Sequence, residues 1–219
     1  MSQSLPRAAF LAATSLTFLK PRVRKPLRPV AARLAQIGVT ANQVTLTSLA
    51  GSVLVGALLC LFPGDPVLFA MLPLWLLARM MCATIDGTLA IEFRQKSRLG
   101  GILNEMGDIV SDVALFLPLA FVPPFSMAAI TCVIFFIVSS ELAGIVGPTL
   151  GSVRRLEGPL GKADRAIVLS VIAISIAVLG RLPDHAFVLA PAIALGLMVT
   201  IWNRLRFALA EPSTEAEAN

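Results

Sequence analysis

PVLFAMLPLWLLARMMCATIDGTLAI, the stretch from Pro66 to Ile91, runs for 26 residues with only two charges, Arg79 and Asp86. A helix needs roughly 20 apolar residues to cross a bilayer core of about 30 Å, so this segment is long enough to span. It has no polar face to offer water. Around it the chain is similar: of 219 residues 57% are hydrophobic and 14% charged, with mean hydropathy +0.84. Ordinary soluble domains hold about 45–50% apolar residues, so a soluble, disordered or coiled-coil chain is excluded.

Six apolar windows, at about 43–62, 66–91, 99–121, 125–148, 164–180 and 185–207, are separated by Pro/Gly-bearing or charged turns. The expected fold is an all-α integral membrane protein of six transmembrane helices preceded by an N-terminal amphipathic surface helix. Residues 1–40 form a basic N-terminal segment, 41–207 the six-helix domain, and 208–219 a disordered tail. Every charge before Asp65 is positive, from Arg7 to Arg33. With six spans, every Lys and Arg except Arg79 and Arg181 falls on one side, which places both termini in the cytoplasm by the positive-inside rule.

Residues 8–19 are apolar like a signal peptide, but the basic run from Lys20 offers no good cleavage site, so the segment is expected to stay uncleaved. From Pro26 to Ile37, Leu27, Val30, Leu34 and Ile37 recur at helical spacing among basic residues. That suits a helix lying on an anionic leaflet; a flexible basic arm is the alternative. Cys60, Cys82 and Cys132 lie in apolar stretches without C-x-x-C spacing, so no disulfide framework or zinc site is indicated. His185, the single histidine, reads as an exposed loop residue. No solenoid repeat and no barrel-like alternation is present.

Arg79, Asp86, Glu105, Asp108, Asp112 and Glu141 fall inside the spans, where an ionised side chain costs roughly 2.5–3.5 kcal/mol even on the lenient insertion scale. At about 100° per residue, Asn104, Glu105, Asp108 and Asp112 share one stripe, while Arg79, Ala83, Asp86 and Ala90 share a face of the preceding span. These two faces are expected to look at each other. Gathered carboxylates take up protons unless a cation compensates them, and oxygen ligands without His or Cys favour Mg²⁺, Mn²⁺ or Ca²⁺. A hard ion near the cytoplasmic leaflet, flanked by basic loops, points to phosphate chemistry. Asp112 is either a ligand or the ion-pair partner of Arg79. Glu141 either meets an acceptor or bonds a neighbouring helix.

Asp86-Gly87-x-x-Ala90, an eight-residue gap, then Gly100-x-x-x-Asn104-x-x-x-Asp108 resembles the signature of the CDP-alcohol phosphotransferases, D-x-x-D-G-x-x-A-R followed by G-x-x-x-D-x-x-x-D. Thr40-Ala41-Asn42-Gln43-Val44-Thr45 looks like that family's T-P-N-x-L-T, and Gly161-Lys162-Ala163-Asp164-Arg165 is similar to its basic G-K motif. The likeness covers about residues 26–207. Ala83, Ile91 and Asn104 stand where the family has Asp, Arg and Asp, as in a divergent bacterial branch.

The resemblance implies an enzyme that transfers a phosphatidyl group from CDP-diacylglycerol to an alcohol acceptor and releases CMP. It implies Asp86, Asn104 and Asp108 as metal ligands, with Glu105 and Asp112 available to compensate for lost carboxylates, and Asp108 as general base. Gly87, Ala90, Gly100 and Gly101 lack bulk where a nucleotide enters, or where helices pack closely. Arg94 takes the place of the missing Arg. Asn42 and Ser97 either cap helices or touch the nucleotide. Lys162, Arg165, Arg154, Arg155 and Glu141 are expected at the phosphates or the acceptor, although loop cations also satisfy topology and anionic lipid. The implied setting is the bacterial inner membrane, with the site facing the cytoplasm, a homodimer, and no nucleic-acid partner. The rival reading is a catalytically silent homologue that binds nucleotide or lipid, or scaffolds lipid enzymes.

Overall fold

A computed structural model describes residues 20–149, 154–156 and 158–210. Among them the secondary structure is helical, with no strand. Helix α1 spans Lys20–Gln36, α2 Ala41–Leu61, α3 Pro66–Glu92, α4 Arg98–Phe116, α5 Met127–Thr149, α6 Lys162–Leu179 and α7 Leu189–Ala210. Short 3-10 turns follow α4 and precede α7, at Leu117–Phe121 and Asp184–Val188. Residues 8–19 and 211–219, the signal-like segment and most of the expected tail, lie outside the described residues.

The helix starts follow from local chemistry. Thr40 caps α2: its hydroxyl accepts from the Gln43 amide at 3.3 Å, and the Gln43 side chain accepts from the Thr40 amide at 2.9 Å. Asn42 is therefore not the cap. Asp65 accepts from Val67 and Leu68 at the head of α3, where Pro66 sits in the first turn and needs no amide partner. The Ser97 hydroxyl caps α4 by accepting from the Gly100 amide at 2.9 Å.

Among the described residues four segments are long and apolar enough to cross a membrane: Ala41–Leu61, Pro66–Glu92, Met127–Thr149 and Asp184–Ala210. The other two long helices are set apart by charge. Helix α4 carries Arg98, Glu105, Asp108 and Asp112, and α6 carries Lys162, Asp164 and Arg165. Around the bundle, Leu54, Leu74, Phe135, Val178, Leu195 and Trp202 are exposed. A coat of large apolar side chains is what lipid solvates and water does not.

Helix α2 packs on α3 and α4, α3 also on α6 and α1, and α5 on α7 and α4. The apolar core gathers at one end of the bundle, from Phe69 and Leu72 on α3, Leu115 and Phe116 on α4, Ile130 on α5 and Ile172 on α6. The opposite end holds the buried charges. There a small second cluster of Ala31, Ala41 and Leu89 seats α1 against α2 and α3. Arg28 of α1 donates to Glu92 at 2.7 Å. Helix α1 begins six residues before the expected Pro26, with Pro26 and Pro29 inside it. Val30 and Ile37 are exposed.

Candidate active site

Each side chain of the charged end is placed by helical spacing. On α3, Arg79, Ala83 and Asp86 are one turn apart, and on α4 so are Asn104, Asp108 and Asp112. Among the described residues α3 and α4 are not one of the closely packed helix pairs. Instead they flank a cavity whose walls include Ala83, Asp86, Asn104, Asp108 and Lys162, with Thr45 and Ser48 contributed by α2. The two faces do meet, across a gap bridged by side chains.

Asp86 is buried, and the Thr45 hydroxyl donates to its carboxylate at 2.7 Å. The Asp108 carboxylate pairs with the Lys162 ammonium. Arg79 reaches the same carboxylate at 3.5 Å and donates to the Asp108 carbonyl oxygen at 3.2 Å. The cavity thus joins two carboxylates, the Asn104 side chain and several hydroxyls with two cations, Lys162 and Arg79.

Behind this cavity lies a web of ion pairs. Arg79 donates to Asp112 at 2.6 Å, and Arg165 donates to the other Asp112 oxygen at 2.7 and 3.0 Å. Arg165 also donates to Glu141 at 2.7 Å. Arg154 pairs with Glu105 at 2.5 Å and approaches Glu141 at 3.6 Å. Arg204 lies 3.6 Å from Glu141 and donates to the Ser140 carbonyl oxygen. An isolated buried charge costs several kcal/mol, so removing Arg165, which is 1% exposed, leaves the buried Asp112 and Glu141 carboxylates strongly unfavourable.

Asp86, Asn104, Asp108 and Lys162 therefore share the cavity, whereas Glu105 and Asp112 turn to arginines. Of the two readings of Asp112, the ion pair with Arg79 is present, reinforced by Arg165. The donor chemistry of the cavity is all oxygen, which suits a hard divalent ion. Its acids are two, and among the described residues no group of three or more His, Cys, Asp or Glu side chains is placed to hold a metal.

The remaining expected residues lie around the rim or the web. Gly87 and Gly101 have open space where a side chain would begin, whereas a Cβ on Gly100 would come within 2.6 Å of Asn42 Oδ1. Gly100 is what lets α2 and the head of α4 meet. Ala90 packs in the small cluster beside α1. Arg94 is exposed just past α3, with a left-handed φ of 57°. The Arg155 amide donates to the Gly144 carbonyl at 3.2 Å, and a Cβ on Gly144 would come within 2.8 Å of the Arg155 carbonyl oxygen. That glycine admits the loop before α6.

Sequence reasoning missed Thr45, Ser48 and Ser111 as cavity residues and Arg204 as part of the web. Thr45 and Ser48 had a signal in their i, i+3 spacing directly after the T-A-N-Q motif, and Ser111 in its i, i+3 relation to Asp108. Arg204 had one too: it falls inside the last apolar window, yet was counted only as a cytoplasmic charge. His185 and Cys132 are exposed, and all three cysteines are free thiols.

No protein-family model matches the sequence. The chain is 38% identical over 191 residues to the inner membrane protein YnbA of Escherichia coli K12, an alignment covering 87% of this chain and 94% of the relative. Its fold is similar to the crystal structure of Mycobacterium tuberculosis phosphatidylinositol phosphate synthase with CDP-DAG bound. The TM-score is 0.70 at 22% identity, covering 84% of this chain and 94% of that one.

Proposed function

Since the chain belongs to the family of the inner membrane protein YnbA and has the CDP-alcohol phosphotransferase fold, we propose that it is a multi-pass inner-membrane transferase. It moves a phosphatidyl group from CDP-diacylglycerol to an alcohol and releases CMP. The observation that carries this reading is the cavity that Asp86, Asn104 and Asp108 line together. Signature residues of α3 and α4 converge there on one cavity at the charged end of the bundle.

In the proposed reaction the acceptor hydroxyl gives its proton to the Asp108 carboxylate. The freed oxygen lone pair forms a bond to the phosphorus that carries diacylglycerol, and the bond from that phosphorus to the CMP oxygen breaks. Lys162, now paired with Asp108, is placed to move onto the phosphates and leave the carboxylate free to take the proton. Arg79 fixes the Asp108 backbone by its bond to the carbonyl, and Thr45 orients Asp86. Asp86, Asn104 and Asp108 are the residues that would hold Mg²⁺ or Mn²⁺, which when bound neutralises pyrophosphate charge. Gly87, Gly101, Arg94 and Ser97 border the nucleotide, and Lys162, Arg165, Arg154, Arg155 and Glu141 form the acceptor side.

All six long helices span the membrane in this reading, with α4 and α6 keeping their charges turned inward, and α1 lies along the cytoplasmic leaflet. Both termini and the site face the cytoplasm, as the distribution of Lys and Arg supports. A homodimer rests on the family resemblance.

The test is CMP release from CDP-diacylglycerol by purified protein, with Mg²⁺ or Mn²⁺ against EDTA, over a panel of alcohols. Metal-dependent release with one acceptor, lost in Asp108→Asn, is the expected result. No release with any acceptor from folded protein would overturn the transferase and favour a silent nucleotide- or lipid-binding homologue.

A further inference from the structure

Glu141 stands at the centre of three guanidinium groups. It is 4% exposed; Arg165 and Arg204, both 1% exposed, lie 2.7 and 3.6 Å away, and Arg154 lies at 3.6 Å. The three arginines come from the α5–α6 loop, α6 and α7, so the bundle assembles them at one point. Converging guanidinium groups are how proteins recognise a phosphate, because each presents a fixed fork of donors to a multivalent anion. Here that position is filled by the chain's own carboxylate.

The other cations of the web are paired as well: Arg79 with Asp108 and Asp112, Arg154 with Glu105, Lys162 with Asp108, and Arg165 with Asp112. Donor capacity is also present there: Arg154 Nε and Arg204 Nε are among the buried donor atoms with no hydrogen-bond partner within the described residues. Hydroxyl oxygens can use such donors. A phosphate entering beside Glu141 would bring a further negative charge next to a buried carboxylate that already occupies the meeting point of the guanidinium groups, where low dielectric strengthens the repulsion.

We propose that Glu141 is a specificity-determining residue, a built-in counter-anion that makes the acceptor side of this site reject phosphorylated alcohols and take an uncharged one. The inference rests on the transferase reading, but its first test does not need activity. Unfolding temperature of the purified protein in neutral detergent is measured with inorganic phosphate against chloride at equal ionic strength, for wild type, Glu141→Gln and the double variant Glu141→Gln/Arg204→Gln. Phosphate is expected to leave wild type unchanged, to raise Glu141→Gln by about 5 °C or more, and to lose most of that effect in the double variant. If wild type is stabilised as much as Glu141→Gln, or if Glu141→Gln does not respond, the proposal is overturned.

Should Glu141→Gln fail to fold, Glu141→Asp carries the comparison. It keeps the charge but draws it back from Arg154 and Arg204, so phosphate should stabilise it more than wild type, and equal responses overturn the idea. A second arm measures CMP release with glycerol against glycerol phosphate. Wild type should favour glycerol at least tenfold, and the Glu141 variant should lose that preference. Absence of CMP release with either would tell against the transferase reading while leaving the phosphate-binding result to stand or fall separately.

Discussion

The two ends of this bundle are built from the same six helices and hold together by different physics. At one end, where α3 begins and α4 ends, Phe69, Leu72, Leu115 and Phe116 make an apolar core. At the other, one to three turns along the same helices, Arg79, Asp112, Arg165 and Glu141 make a core of ion pairs, all buried. In lipid the first kind of contact gains little from water exclusion and depends on packing. The second is costly to bury and tightly specified, since each charge tolerates only the geometry that pairs it. The apolar end therefore serves as scaffold, and the charged end serves the chemistry.

That contrast predicts which changes affect activity and which affect stability. The largest effect belongs to Asp108: Asp108→Asn should lower CMP release by about 100- to 10,000-fold, the range for losing a general base, with unfolding temperature little changed. Next comes the web. Arg165→Ala leaves Asp112 and Glu141 without their shared partner and should cost about 3–5 kcal/mol, read by thermal unfolding in detergent. At the apolar end Leu72→Ala should cost about 2 kcal/mol through the cavity it leaves, with CMP release per folded molecule preserved. The smallest change, Ser97→Ala, removes the α4 cap and should cost about 1 kcal/mol, read by thermal unfolding in detergent.

Much of the charged end was legible because it is written along single helices. The spacing of Asp86 on α3 and of Asn104 and Asp108 on α4 forecast a common site, and they line one cavity. Of the two readings open for Asp112, the ion pair with Arg79 is the one the fold forms, at 2.6 Å. What joins helices distant in sequence was not legible. Arg204 meets Ser140 and Glu141, and Thr45 meets Asp86, through packing between helices that periodicity on any one of them does not encode. The facing of α3 and α4 was foreseen, but not the gap between them or the packing of α2 on both. Asn42 illustrates a local miss: the true cap is Thr40, two residues earlier, and the Asn42 side chain abuts Gly100 instead.

The separation of the two ends is tested most directly by measuring CMP release from CDP-diacylglycerol and unfolding temperature on the same preparations of wild type, Asp108→Asn and Leu72→Ala. The account predicts that wild type releases CMP, that Asp108→Asn loses release while unfolding near the wild-type temperature, and that Leu72→Ala unfolds earlier while still releasing CMP. Undiminished release by Asp108→Asn, or none from folded wild type with any alcohol, would contradict it.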